Sequence, residues 1–309
     1  MAQAEELLGD RRLTSGDTTW HDESRGPQQC TLSAERPDAD GYDQSLTVTA
    51  SRTAGSRELL LDLDRFMSDA DTYTVSPIGN GWRGLLNTRA TDPRASVVMP
   101  CDRDGQSPLV VNLRVRLPLE AVGPMTASQR VQLARLATET AANAARRADC
   151  QAPEGEPVRS VAAQVPTRFD DAPALAPGEA TGTCANVEAP TWETAADPLA
   201  PVEDCLVLDR AGEPSFRLAA YYGPYVDEGG HVQTYKRGED GVFRGRSGGA
   251  EGVYWTSASC PAQGGTAFFT AESLHGKAAP DPARQRAALR AFAERSAEAH
   301  GCKSPRRAQ

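Results

Sequence analysis

Lysine and isoleucine are almost missing from this chain: 3 Lys stand against 30 Arg, and Ile78 is the single isoleucine among 309 residues. That skew reads as high-G+C coding and carries no mechanism. Positive charge is short as well. A formal net charge of −9 argues against non-specific nucleic-acid binding, which needs a basic footprint, and against a polybasic membrane surface. No run of about 20 apolar residues exists, the length a helix needs to span a bilayer. Met1–Leu8 is short and polar and lacks the apolar core of a signal peptide. No two cysteines form a CxxC pair, and none of His21, His231, His275 and His300 is paired at ligand spacing, which disfavours zinc. No cofactor is expected.

What the chain does have is a repeated pattern of cysteines. Cys101 to Cys150 reads as a strand end, a hairpin, a strand over Leu109–Leu117 and a helix returning to the second cysteine. The unit recurs from Cys260 to Cys302. In the first helix, Thr126 and Gln129 are spaced as a capping box, and Leu133, Leu136, Ala137, Thr140 and Ala144 form one stripe. In the second, Asp281 suits the N-cap and Pro282 the first helical position, with Leu289, Phe292, Ala293 and Ser296 as the stripe. Leu136 lies 14 residues before Cys150 and Phe292 lies 10 before Cys302, a difference of about one helical turn. Upstream, Trp82-Arg83-Gly84 pairs with Phe243-Arg244-Gly245, Leu46–Ala50 with Phe216–Ala220, Cys30 with Cys205, and Trp20 with Trp192. Ordered anchors of this kind mark an internal repeat.

The spacing therefore predicts equivalent disulfides Cys101–Cys150 and Cys260–Cys302, each tying a helix end to a sheet. Closing a loop of about 50 residues removes roughly 4 kcal/mol of unfolded-state entropy in the chain-entropy model. Cys184–Cys205 is the third expected bridge. Cys30 is left over, its missing partner expected near or before Arg12. Stable disulfides imply an oxidising compartment. The expectation is then an outward-facing domain whose amino-terminal signal or anchor is absent from this chain, with membrane association only through that anchor.

In order, residues 1–14 read as a lead-in with Glu5–Leu8 helical, 15–150 as the first module, 151–183 as a linker or lightly ordered strap rich in Pro and Ala, 184–302 as the second module and 303–309 as a disordered tail. In Arg57–Ala70, Leu59, Leu61 and Leu63 suit a strand, but the apolar set Leu59, Leu60, Leu63, Phe66 and Met67 extends to Met67 and favours a short amphipathic helix. Further strands are expected at Thr72–Val75, Ser96–Met99, Cys205–Leu208, Phe216–Tyr222, Val232–Tyr235, Val253–Ser257 and Thr266–Ala271. Alternation through Asn112, Arg114 and Arg116 predicts a strand with one wet face. The fold class is α+β: two tandem copies of a small antiparallel sheet, each packed by one long C-terminal helix and closed by a disulfide.

Literal catalytic motifs fail on context. Gly79-Asn80-Gly81-Trp82-Arg83-Gly84 matches GxGxxG, but Asn87, Thr88, Asp92 and Pro93 follow where a helix must start, so a hairpin turn is expected. Gly245-Arg246-Ser247-Gly248-Gly249 matches GxSxG with polar, glycine-rich flanks, and Asp281 and His300 fall on the terminal helix or its cap. Asp38-Ala39-Asp40-Gly41 and Asp102-Arg103-Asp104-Gly105 resemble pieces of a calcium loop without its closing Glu; Asp-Gly is also a hairpin turn. Asp62 and Asp64 read as a solvated edge. Tyr221, Tyr222, Tyr225 and Tyr235 crowd one stretch around Gly223-Pro224, as ligand-binding tyrosines do on loops, or as core and edge residues do.

With its Arg- and Ala-rich composition and its Cys–strand–helix–Cys pattern, the chain resembles secreted or membrane-anchored proteins of actinomycetes of the Streptomyces type. That resemblance implies no activity. The function expected is an extracytoplasmic, non-enzymatic binding or interaction domain for a protein or envelope ligand. The alternatives are a cell-envelope hydrolase with acids in a cleft between the copies, and a structural spacer.

Overall fold

The computed structural model describes residues 2–8, 12–15, 28–34, 44–52, 74–88, 92–101, 107–116, 125–163, 174–226, 247–250, 252–261, 265–274 and 281–305. The fold is mixed α+β and mostly sheet, with two antiparallel sheets and three disulfides. The chain divides into two compact units. The first comprises Met1–Ala54 and Ile78–Val161, the second Gly55–Pro77 and Ala162–Gln309.

In the first unit, helix α1 (Ala2–Leu7) precedes strands β1 (Leu13–Ser15), β2 (Gln28–Ala34), β3 (Ser45–Arg52), β4 (Ser76–Gly79), β5 (Trp82–Asn87), β6 (Arg94–Met99) and β7 (Leu109–Arg116), then helix α2 (Ala127–Arg147). The sheet order is β1-β2-β3-β7-β6-β5-β4. One register row runs Cys30, Val48, Leu113, Ala95 and Leu86 from β2 to β5. Alternation puts Leu46, Leu109, Val111, Leu113 and Val115 into one apolar cluster with Leu133, Ala134, Ala137 and Ala141 of α2. Strand β4 begins at Ser76, later than the sequence predicts, and Leu117 lies outside the described residues. The wet face of β7 is also drier than its pattern: Arg114 and Arg116 are exposed, but Asn112 is buried and accepts a hydrogen bond from Ser96 Oγ at 2.5 Å.

The literal GxGxxG is a hairpin. Asn80 and Gly81 have φ of 56° and 81°, the pair of positive values a type I′ turn requires, and they join β4 to β5. Residues 151–161 then fold back over this hairpin as a strap. The Glu156 amide donates to the Asn80 carbonyl (2.7 Å), Trp82 Nε1 donates to the Glu156 carbonyl (2.9 Å), and Val158 and Val161 are buried in the unit's core. Gly155 is required there, because a Cβ would lie 2.6 Å from the Asn80 carbonyl oxygen and 2.5 Å from the Trp82 ring.

The second unit contains β8 (Thr191–Glu193), β9 (Val202–Leu208), β10 (Pro214–Tyr221), a 3-10 turn at Gly223–Tyr225, β11 (Ser247–Ala250), β12 (Val253–Cys260), β13 (Gly265–Ser273) and helix α3 (Pro282–Ala299). Its sheet runs β8-β9-β10-β13-β12-β11, with a row Cys205, Leu218, Ala271, Tyr254, Gly249 from β9 to β11. Leu289, Phe292, Ala293 and Ala297 of α3 share a cluster with Phe216, Leu218, Phe269 and Ala271. Val232–Tyr235, Phe243–Gly245, Arg57–Ala70 and Trp20 lie outside the described residues.

Both long helices start and stop as their sequences direct. Thr126 Oγ1 accepts the Gln129 amide while Gln129 Oε1 accepts the Thr126 amide, the two halves of a capping box. Asp281 Oδ1 accepts the Ala283 amide beside Pro282. At the carboxyl ends, Asp149 and Gly301 adopt left-handed φ of 52° and 67°. The Asp149 and Gly301 amides reach the Arg146 and Glu298 carbonyls, and the Cys150 and Cys302 amides reach those of Ala145 and Ala297. This is a Schellman turn with a half-cystine at its last position. Lys303 continues onto the sheet, its amide 2.8 Å from the Ser259 carbonyl, so residue 303 is held where the sequence suggests a disordered tail.

A methyl at Gly301 would meet nothing within 4 Å, so its substitution isolates backbone conformation from packing. Gly301→Ala is expected to cost about 1–2 kcal/mol, and Gly301→Asn less, because Asn tolerates the left-handed region. Urea denaturation of the three proteins measures both differences.

Candidate functional site

The densest polar cluster described lies in the second unit, between β9, the end of β10 and the last turns of α3. Strand β9 reads Val-Glu-Asp-Cys-Leu-Val-Leu and is buried throughout, which forces Glu203 to find partners inside. Alternation aims Glu203, with Cys205 and Val207, at α3. Arg295 grips its carboxylate from both terminal nitrogens, at 3.2 Å and 2.9 Å, and also donates to the Thr183 carbonyl at 2.7 Å. Ser296 Oγ donates to Glu203 Oε2 at 2.5 Å and lies 2.5 Å from the Tyr222 hydroxyl.

Proton directions follow from valence. An ionised carboxylate only accepts, so the single Ser296 proton points at Glu203 and Tyr222 must donate to Ser296. Burial and the nearby Glu203 carboxylate raise the phenol far above its ordinary pKa, against the Ser296 hydrogen bond and the Arg295 charge, which keeps Tyr222 protonated for that role. The His300 ring stacks on Tyr222 with centroids 3.8 Å apart and planes 9° apart. Its Nδ1 faces the Ser296 carbonyl (3.0 Å) and Nε2 the Ala200 carbonyl (3.2 Å). A carbonyl only accepts, so both contacts are hydrogen bonds only when both nitrogens carry protons.

Chemically this cluster is a lock. Glu203, Tyr222, Ser296 and His300 are each at most 3% exposed, so no substrate reaches the hydroxyl or the imidazole. The arrangement fastens α3 to the sheet beside the Cys260–Cys302 bridge. A second buried pair, Arg217 Nη2 with Glu272 Oε2 at 3.5 Å, crosses from β10 to β13. In the first unit, Asp92 receives Arg114 through two nitrogens (2.8 Å and 2.7 Å) and Arg94 at 2.6 Å. Burial raises the Asp92 carboxyl, but hydrogen bonds and charge from the two arginines outweigh it and hold it below the usual carboxylate range. The described surface also carries an open depression of about 560 Å³, lined by Arg146 and Asp149–Glu154, whose Arg146–Glu154 pair spans 2.9 Å.

Several residues singled out in the sequence take other places. Tyr221, Tyr222 and Tyr225 are 0–1% exposed, which makes them core residues instead of a contact surface; Tyr235 lies outside the described residues. Cysteines 101, 150, 184, 205, 260 and 302 form the three expected bridges, and Cys30 remains a free, half-buried thiol. Ser247 of the GxSxG match lies in β11, while Asp281 and His300 cap opposite ends of α3 and form no triad. His300 is a buried residue of the turn that ends α3, enclosed by the helix end and Tyr222. His21, His231, His275, Asp38, Asp40, Asp62, Asp64, Asp102 and Asp104 lie outside the described residues. Among the described residues, no group of three or more His, Cys, Asp or Glu could hold a metal. The Glu203–Ser296–Tyr222 cluster escapes sequence reading; its one signal is an acidic pair inside an otherwise apolar strand.

Glu203→Gln removes the charge partner of a largely buried arginine and is expected to destabilise by about 3 kcal/mol. Tyr222→Phe is expected to cost about 1 kcal/mol, and much less on a Ser296→Ala background, because the two share one hydrogen bond. Chemical denaturation of the four variants resolves both. For Asp92 the folded pKa is depressed, so its contribution is present above the unfolded value near ~3.9 and disappears as pH falls through the folded one. Wild type is therefore expected to exceed Asp92→Asn in stability by a constant margin at neutral pH, the gap closing in acid below about pH 4.

Comparison of the chain with known proteins finds no matching family model, no matching curated protein and no matching solved structure.

Proposed function

We propose that this chain is an extracytoplasmic binding or interaction domain of an actinomycete-type envelope or secreted protein, built by duplication of one disulfide-closed module and without catalysis of its own. One observation carries the duplication. Read from β1 and from β8, the two sheets have the same strand order over six strands, β4 alone being extra. The rows through Cys30 and Cys205 keep the same register across five strands. In each unit the strand next to the end of the row, β6 or β12, runs to a half-cystine, Cys101 or Cys260. Each bonds the half-cystine that closes a Schellman turn on the following helix. Independent origins would not reproduce strand order, register and cysteine position together.

Three bridges point to an oxidising compartment. The polar side chains best equipped for chemistry, Glu203, Ser296, Tyr222 and His300, are consumed by internal bonds. What such a module presents to its surroundings is surface, which favours recognition of a protein or envelope ligand.

The test is cosedimentation of the oxidised protein with purified actinomycete cell envelopes. Saturable binding without release of soluble glycan or peptide fragments is expected. Release of fragments would overturn the reading in favour of a hydrolase, and absence of both binding and release in favour of a spacer. Non-reduced mass spectrometry of protein from its native host is expected to find one alkylatable thiol, Cys30; seven would refute the extracytoplasmic assignment.

A further inference from the structure

Register also accounts for the one cysteine without a partner. In the second unit, Cys205 of β9 bonds Cys184, which lies on the segment entering β8. In the first, Cys30 occupies the corresponding place in β2: it pairs with Val48, and Cys205 pairs with Leu218, in the matching rows. The neighbouring edge strands extend the correspondence. Ser15 of β1 lies opposite Leu32, two residues beyond Cys30, and Thr191 of β8 lies opposite Val207, two residues beyond Cys205. Ser15 and Thr191 are therefore equivalent. Seven residues before each stand Leu8 and Cys184.

Burial agrees with that count. Leu8 is 4% exposed in the first core, and Cys184 is fully buried in the second. Moving four residues upstream, Ala4 and Ala180 each pack on their unit's core; moving five downstream, so do Leu13 and Ala189. By the same count Gly16, not Trp20, matches Trp192, so the tryptophan anchor expected from sequence is not kept.

We infer that Leu8 stands in the vacated half of a bridge site, and that Cys30 is the surviving half-cystine of a bond the second unit still makes. The inference rests on the duplication reading. It places the missing partner inside this chain at a named position, and it makes Cys30 a half-buried remnant with no covalent partner of its own.

The test is Leu8→Cys in the full chain, oxidised with glutathione disulfide. The thiols at positions 8 and 30 would give up two protons and two electrons to the oxidant as the S–S bond forms. Peptide mapping without reduction is expected to recover a fragment joining positions 8 and 30, the intact mass to fall by two hydrogens, and the unfolding midpoint to rise by several degrees. Ala4→Cys, one turn away, is expected to leave both thiols free. Alkylation of both position 8 and Cys30 after oxidation would overturn the inference, as would a bond from position 4. If the variant does not fold under oxidising conditions, it is folded reduced and then oxidised, with the same outcomes. Superposing residues 94–150 on 253–302 in a crystal structure tests the duplication without using Leu8. Overlay there with no bond at position 8 would sink this assignment and leave the duplication standing.

Discussion

The constraint on which each unit depends is the covalent closure of a helix end onto a strand end. A helix packed on a sheet has an unsatisfied carboxyl terminus and an apolar face that must both be held. Here one residue resolves both. The half-cystine at the last position of the Schellman turn donates its amide back into the helix, and its sulfur crosses to the sheet. The left-handed residue just before it sets the direction of that sulfur. Arg52 reinforces the first unit's version, donating to the Ala148 carbonyl at 2.6 Å, where the second unit stacks Tyr222 on His300. These are two different chemical solutions at the end of corresponding strands.

Much of the architecture was legible because it is encoded locally. Thr126 with Gln129, and Asp281 with Pro282, declare helix starts through bonds that span three residues or fewer. Asn80-Gly81 declares a type I′ turn because two consecutive residues must take positive φ. The cysteine spacing declares the bridges because helix and strand lengths fix where the second sulfur arrives. Each signal needs only nearby chain.

What was not legible is what depends on distant chain. Tyr221, Tyr222 and Tyr225 read in sequence either as a contact surface or as core, and only the folded chain decides between the two: all three are buried. His300 reads as a polar residue at a helix end, and its burial follows from the Tyr222 ring and the Ala200 carbonyl, 100 residues away. Composition leaves residues 151–161 open between a linker and a strap; they pack as a strap because Gly155 lets the chain approach Trp82 closely enough for Glu156 to bond Asn80. Phe292 falls at the place of Thr140, one turn beyond Leu136, its counterpart in the sequence pattern. Aligned on their Schellman turns, Ala297 corresponds to Ala145, so the longer helix gains its length at its start and needs no inserted turn.

The bridges are also strictly sequential. Each joins a cysteine to the next one along the chain, and no two loops interleave. Cys30 breaks that order by standing first. A chain oxidised in the order its cysteines emerge would join Cys30 to Cys101, then Cys150 to Cys184 and Cys205 to Cys260, displacing every native pair by one. Correct pairing therefore demands that tertiary structure precede oxidation, or that a thiol-exchange catalyst edit the result. A single leftover sulfur ahead of three sequential bridges thus makes their correct pairing a proofreading problem.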